Sequence, residues 1–337
     1  MPTLTGVARS PLSIFVFSSI AFVLGILMSL QARVNGELGI ALDNRVQAAL
    51  ISFTVGLLTL LVLLALVPSM KAGVGRIPGL LRERRLLPWH LLGGVAGACF
   101  ILAQVYSVPL IGVALFTVVG VAAESITALV IDRWGISPGG KHALTGPRIA
   151  ATVLVIAAVV LAGFDKLDVP AVSVLALAAV FIARVGTTIQ VTFNSKVAVT
   201  ADSYLAATLI SFSVGTAFLL VIFLVGTYGG MGPSFVPQPW WLYVGGIIGL
   251  VAVAGGAVCI PRIGVLLYGL SGVGGAIAGS LVIDLAIPFA NTRVSGLTLL
   301  GGVVALAGLI TAAKPFARIR SGAQPEPERC IDGLPKP

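Results

Sequence analysis

The stretch Gln31-Ala-Arg-Val-Asn35, followed by Asp43 and by Ala48-Ala-Leu-Ile-Ser-Phe-Thr-Val-Gly56, returns later as Gln190-Val-Thr-Phe-Asn194, Asp202 and Ala207-Thr-Leu-Ile-Ser-Phe-Ser-Val-Gly215. At a constant shift of 159 positions, 10 of 26 residues are identical. Roughly a tenth would be ordinary in a chain so rich in Leu, Val and Ala. The chain is internally duplicated. Its later parts match too, at a shift of 152: Trp89 with Trp241, Gly93-Gly94 with Gly245-Gly246, Gly97 with Gly249, Pro109 with Pro261, Gly112 with Gly264, and Leu-Val-Ile-Asp132 with Leu-Val-Ile-Asp284. The loss of seven residues falls between the second and third segments, where the first copy carries an Arg-rich insertion.

The solvent of this duplicated chain is lipid. With 58% hydrophobic and 10% charged residues among 337 and a mean hydropathy of +1.08, it does not have the composition of a water-soluble globule. Crossing a hydrocarbon core of about 30 Å takes near 20 apolar residues. Ten such segments are read at about 13–35, 46–67, 89–108, 110–131, 148–164, 172–195, 203–226, 241–260, 263–284 and 295–313. They lack the two-residue alternation of barrel strands, so helices alone can satisfy their backbones in lipid. The expected class is an all-α integral membrane protein of ten transmembrane helices. Arg9 ahead of Leu12 to Leu30 has the form of a secretory signal, but the second copy keeps the equivalent helix deep in the chain, so the first is expected to be retained.

Lys and Arg in short loops set the orientation. Lys71, Arg76, Arg82, Arg84 and Arg85 between the second and third spans, and Arg133, Lys141 and Arg148 after the fourth, belong in the cytoplasm. Both termini then face the cytoplasm. Topology and attraction to lipid headgroups account for the net charge of +9; no basic stripe with interleaved aromatics points to nucleic acid. Five helices per copy is an odd number, so the second copy enters the membrane inverted. The expected organisation is 1–12 as cytoplasmic N-terminus, 13–166 and 167–315 as two inverted five-helix repeats, and 316–337 as a disordered cytoplasmic tail. Inverted repeats belong to alternating-access transporters with a midplane site between the copies.

The Gln-x-x-x-Asn ending the first span, the Leu-Ile-Ser-Phe-x-Val-Gly of the second and the Leu-Val-Ile-Asp closing the fourth resemble the YdcZ-type branch of the drug/metabolite transporter superfamily. The resemblance covers about residues 13–313, in both copies. It implies the fused, ten-helix form of a small-molecule permease of the bacterial inner membrane, an exporter with no substrate specified. After the aspartate this branch commonly closes with a Gly, which Asp132-Arg-Trp-Gly135 keeps and Asp284-Leu-Ala-Ile287 does not.

Cost singles out the transport chemistry. A charge near the bilayer centre costs about 2.5–3.5 kcal/mol on insertion scales, so one that persists faces a cavity or a partner. Glu124 and Arg184 lie deep in the fourth and sixth spans, and their counterparts are Ala276 and Gly25. These charges break the internal symmetry. Glu124 is the candidate to couple transport to a proton or to bind a cationic group, with Arg184 as its resting partner or as the receptor of an anionic group; a plain ion pair tying the copies together is the alternative. Gln31 with Asn35, and Gln190 with Asn194, share helix faces and are expected near opposite ends of one pathway, as gates, linings or helix-end caps. Gln104, whose counterpart is Gly256, is a further pathway candidate. Asp132 and Asp284 are read as interfacial charges at helix ends, where charge is cheap.

Other patterns carry less. The glycines of Gly269–Gly279 lie in an apolar span with no Lys-Ser/Thr following, so they read as close helix packing and not as a phosphate loop. Without a P-loop, ATP is not a direct energy source within this chain. Cys99, Cys259 and Cys330, and His90 and His142, lack ligand spacing, so no metal or cofactor is expected. Trp89, Trp240 and Trp241 fit an aromatic belt. The spans hold no nucleophile with a base, which disfavours an enzyme. The expected function is secondary active transport, most simply export, of a small metabolite or drug-like molecule across the bacterial inner membrane by alternating access, with protons the candidate coupling ion. The runner-up is a passive channel or facilitator of the same fold. A monomer suffices in principle, and a dimer is compatible with the sequence.

Overall fold

The computed structural model describes residues 11–134, 146–164, 171–229, 240–263, 265–289 and 294–307. Among them the regular elements are all helical: α1 (Pro11–Ala41), α2 (Arg45–Leu66), α3 (Pro68–Arg82), α4 (Pro88–Leu91), α5 (Gly93–Trp134), α6 (Gly146–Phe164), α7 (Ala171–Ala201), α8 (Tyr204–Tyr228), a 3-10 turn at Trp240–Tyr243, α9 (Gly245–Ile263) and α10 (Val265–Ala286), then α11 (Gly296–Ala307). Within the described residues, the ten expected segments fall on helix. Six helices among the described residues are long and apolar enough to cross a membrane: Leu12–Ala41, Arg45–Leu66, Pro88–Thr127, Val174–Ala201, Tyr204–Tyr228 and Tyr268–Ala286. Large apolar side chains such as Phe15, Leu58, Val62, Val221 and Val225 face outward, as a lipid solvent requires. This is an all-α, multi-pass membrane protein. The expected tail at 316–337 and the loops at 135–145 and 165–170 lie outside the described residues.

The helix ends repeat as the sequence does. Asp43 and Asp202, counterparts at the shift of 159, both take left-handed backbone (φ 47 and 52), a conformation Asp tolerates better than most residues. Each is followed by an N-cap: Asn44 Oδ1 accepts from Gln47 N at 3.0 Å, and Ser203 Oγ from Ala206 N at 3.2 Å.

The expected third and fourth spans form one continuous element, α5, of 42 residues. Straight, it would be about 63 Å long, twice the hydrocarbon core. It is not straight. Gly112 leaves helical geometry at φ 83, ψ 164, and the rings of Phe100 and Phe116 meet at 5.6 Å, where sixteen residues of unbroken helix would hold them about 24 Å apart. The two arms therefore fold back at Gly112, not at Pro109 where the sequence placed the boundary. The second copy has the same arms as α9 and α10 on either side of Gly264, itself outside the described residues.

The copies are interleaved. α1 packs on α9 and α10 of the second half, and α7 packs on α5 of the first. The contacts are reciprocal: a Cβ on Gly94 would strike the Ser211 carbonyl and one on Gly246 the Ser52 carbonyl; Gly97 faces Gln190 and Gly249 faces Gln31; Gly93 faces Asn194 and Gly245 faces Asn35. Residue i meets j′ while i′ meets j, the signature of a two-fold relation. The glycine-rich run packs as expected, since side chains on Gly275 and Gly279 would run into Phe22 and Ile26 of α1.

The Arg-rich connection, read as a loop, is the amphipathic helix α3. Pro68 opens it at the first turn, where its missing N–H is harmless. Met70, Gly73, Ile77 and Leu80 are buried, while Lys71, Arg76 and Arg82 stay exposed. Arg76 Nη1 donates to Ala201 O at 3.0 Å and to Asp202 Oδ2 at 3.3 Å, tying α3 beneath the turn between α7 and α8.

Candidate functional site

Glu124 and Arg184, each isolated in an apolar helix, meet. Arg184 Nη2 lies 2.9 Å from Glu124 Oε2, with the two side chains 27% and 43% exposed. α5 supplies the acid and α7 the base, so the pair joins the copies. The guanidinium carbon stands 5.2 Å from the centre of the Phe100 ring, and Nε is buried with no hydrogen-bond partner.

Both side chains face a half-open pocket. A cavity of about 190 Å³ is lined by Glu124 and Arg184 with Gln104, Phe116, Tyr268 and Ser29. A second, of about 240 Å³, is lined by Gln31, Gln190, Asn194, Ser52, Ser211 and Arg184. Met28, Phe100 and Arg184 border both. Arg184 thus stands between the two pockets, with Glu124 on the side of the first.

The amides sit differently from the expectation. Gln31, Gln190 and Asn194 line one chamber instead of marking opposite ends of a pathway. The cause is helix length: α1 runs to Ala41 and α7 to Ala201, well past the expected ends at 35 and 195, which moves both glutamines toward mid-helix. In the second copy Gln190 Nε2 and Asn194 Nδ2 both donate to Ser211 Oγ, at 2.9 and 3.2 Å. In the first, Asn35 Nδ2 instead donates to Gln104 Oε1 at 2.7 Å, a bond the second cannot copy because Gly256 stands at that place. Gln31 Oε1 is buried without a partner.

Asp284 is near a helix end, as expected, but it is 5% exposed and not at a cheap interface. Oδ1 accepts from Val113 N at 3.0 Å and Oδ2 from Ala114 N at 2.7 Å. These are N–H groups that the break at Gly112 strips of intrahelical partners. The aspartate of one copy caps the broken helix of the other. The Asp132 side chain lies outside the described residues.

Sequence reasoning missed Ser52 and Ser211, although both stand in the repeated Leu-Ile-Ser-Phe stretch, and Met28 and Phe100, which carry no signal beyond apolarity. Phe53 and Phe212 of that same stretch meet across the two-fold relation at 5.1 Å between ring centres. Cys99 and Cys259 are free thiols, and among the described residues no three His, Cys, Asp or Glu side chains gather as a metal would need.

One family model, described as "Putative inner membrane exporter, YdcZ", matches twice, over residues 16–161 and 175–311. No curated protein matches the chain. A solved structure described only as the crystal structure of a protein is similar over 92% of this chain and 99% of its own, at 18% identity and a TM-score of 0.54. At that identity the likeness concerns the fold alone.

Proposed function

The chain belongs to the YdcZ family, and from that membership we propose that it is a secondary active transporter, an exporter working by alternating access, with Glu124 and Arg184 at its centre. The observation that carries this reading is an ion pair whose Arg184 borders two adjoining pockets and whose Glu124 lines one of them. Such a pair can be opened by a ligand or by a proton on Glu124, and opening it joins one pocket to the other. Protons are the coupling ion we propose, since Glu124 is the carboxylate of that pair. We further propose ten membrane crossings as two inverted repeats, 13–166 and 167–315, both termini cytoplasmic, and a monomer as the working unit. Alternating access with an inverted pair of repeats places the site where the copies meet, which is where α5 and α7 bring the two charges together.

The test is flux in liposomes under an imposed pH gradient, with amino acids, sugars, nucleosides and cationic drugs as solutes. Gradient-driven, saturable flux that falls at least tenfold in Glu124→Gln is the expected outcome. Flux that equilibrates without the gradient and survives the substitution would make the protein a passive facilitator and Glu124 a structural residue.

A further inference from the structure

We infer that the pocket lined by both Glu124 and Arg184 takes a small zwitterion, its ammonium group on Glu124 and its carboxylate on Arg184. This rests on the transporter reading and adds the substrate class.

Charge balance comes first. Removing one partner of a partly buried ion pair leaves the other charge unpaired, at a cost that grows with its burial. A simple cation that takes Glu124 strands Arg184, and a simple anion that takes Arg184 strands Glu124. A ligand bearing both charges replaces both partners at once, so the pair opens with neither residue abandoned.

The guanidinium is set for it. Nη2 holds Glu124 at 2.9 Å, while Nε, on the same edge of the planar fork, is buried and has no partner. That edge is half used. A carboxylate takes such an edge with two parallel hydrogen bonds, engaging Nε first and displacing Glu124 from Nη2. The Phe100 ring under the guanidinium keeps Arg184 in place through the exchange. On the other side, Glu124 shares its chamber with Phe116 and Tyr268, rings whose faces attract an ammonium group.

Size agrees. Pockets for drug-sized ligands run to about 300–1,000 Å³, and the chambers are about 190 and 240 Å³. An amino acid with a short side chain, or a betaine, is the class that combines both charges with that volume. Gly120 packs beside that N–H: a Cβ there would lie 3.7 Å from Arg184 Nε, an ordinary contact. Gly120→Ala therefore fills the space beside that N–H in ordinary contact with the Arg184 side chain and with no clash, and Ala favours the helix.

The experiment is counterflow into liposomes holding the purified full-length protein. Labelled glycine, alanine, serine and glycine betaine are compared with alaninamide, which carries only the positive charge, and N-acetylalanine, which carries only the negative. We expect saturable exchange of at least one zwitterion, at least tenfold faster than either single-charge derivative and lost in Glu124→Gln and Arg184→Gln. In Gly120→Ala the half-saturating concentration should rise at least tenfold while the thermal midpoint of the purified protein holds or increases. Exchange of alaninamide or a cationic drug as fast as of any zwitterion would overturn the substrate class and leave the transporter standing. An unchanged half-saturating concentration in Gly120→Ala would overturn docking at Nε. No saturable exchange of any solute, under a pH gradient or without one, would overturn both readings.

Discussion

Asp284 shows what a single residue can hide. By hydropathy it is an acid at the end of an apolar run, and the inexpensive reading puts it at the interface. Its burial is decided by a residue 172 positions away, Gly112, whose φ of 83 frees the N–H groups that Asp284 accepts. No local pattern around position 284 encodes that. Hydrogen bonds to a charged group contribute about 1.5–3 kcal/mol each, so Asp284→Ala should destabilise the protein by roughly 3 kcal/mol or more, and Asp284→Asn, which keeps one acceptor oxygen, by about half as much. Thermal melting in detergent checks this; equal midpoints for wild type and Asp284→Ala would remove the cap from the account. Glu124 and Arg184 were legible for the opposite reason. Their cost is paid against the bilayer itself, so the sequence alone exposes them as exceptions, and only the aromatic neighbour of Arg184, Phe100, needed the structure.

At the scale of elements, hydropathy reports what lipid tolerates and not where the hydrogen-bond ladder stops. α1 continues through Gly36-Glu-Leu-Gly39 to Ala41 and α7 through Ser195-Lys196 to Ala201, because Asp43 and Asp202 and not the loss of apolarity end them. The same confusion hid α3. Its Arg and Lys residues mark a cytoplasmic loop, while the spacing of Met70, Gly73, Ile77 and Leu80 marks a helix face, and the charge drew the attention. Pro109 was the visible breaker in α5, yet Gly112 turns the chain. A side chain there must adopt a conformation open almost only to glycine, which costs of order 1–3 kcal/mol. Gly112→Ala should therefore lower the thermal midpoint, whereas Gly79→Ala, with open space around its Cβ position in α3, should not. Equal effects at the two positions would mean that the turn is not what constrains Gly112.

For the whole molecule, duplication was plain in the sequence and interleaving was not, since identity between copies says nothing about which faces they bury against each other. The reciprocal glycine contacts establish a two-fold relation, and the question they leave is how its axis lies in the bilayer. An axis along the membrane normal keeps counterparts on one side; an axis in the membrane plane sends them to opposite sides. Asp43 and Asp202 are the counterparts to use, for both are exposed and sit in matching turns. Asp202 is tied to Arg76 of α3, and the proposed orientation puts the Lys and Arg residues around α3 on the cytoplasmic side. In a variant lacking Cys99, Cys259 and Cys330, Asp202→Cys and Lys71→Cys should react with a membrane-impermeant maleimide only in inside-out vesicles, and Asp43→Cys and Tyr228→Cys only in intact cells. Labelling of positions 43 and 202 from the same side would rule out the inverted arrangement, and with it the argument that places the Glu124 and Arg184 pair at the midplane between oppositely oriented halves.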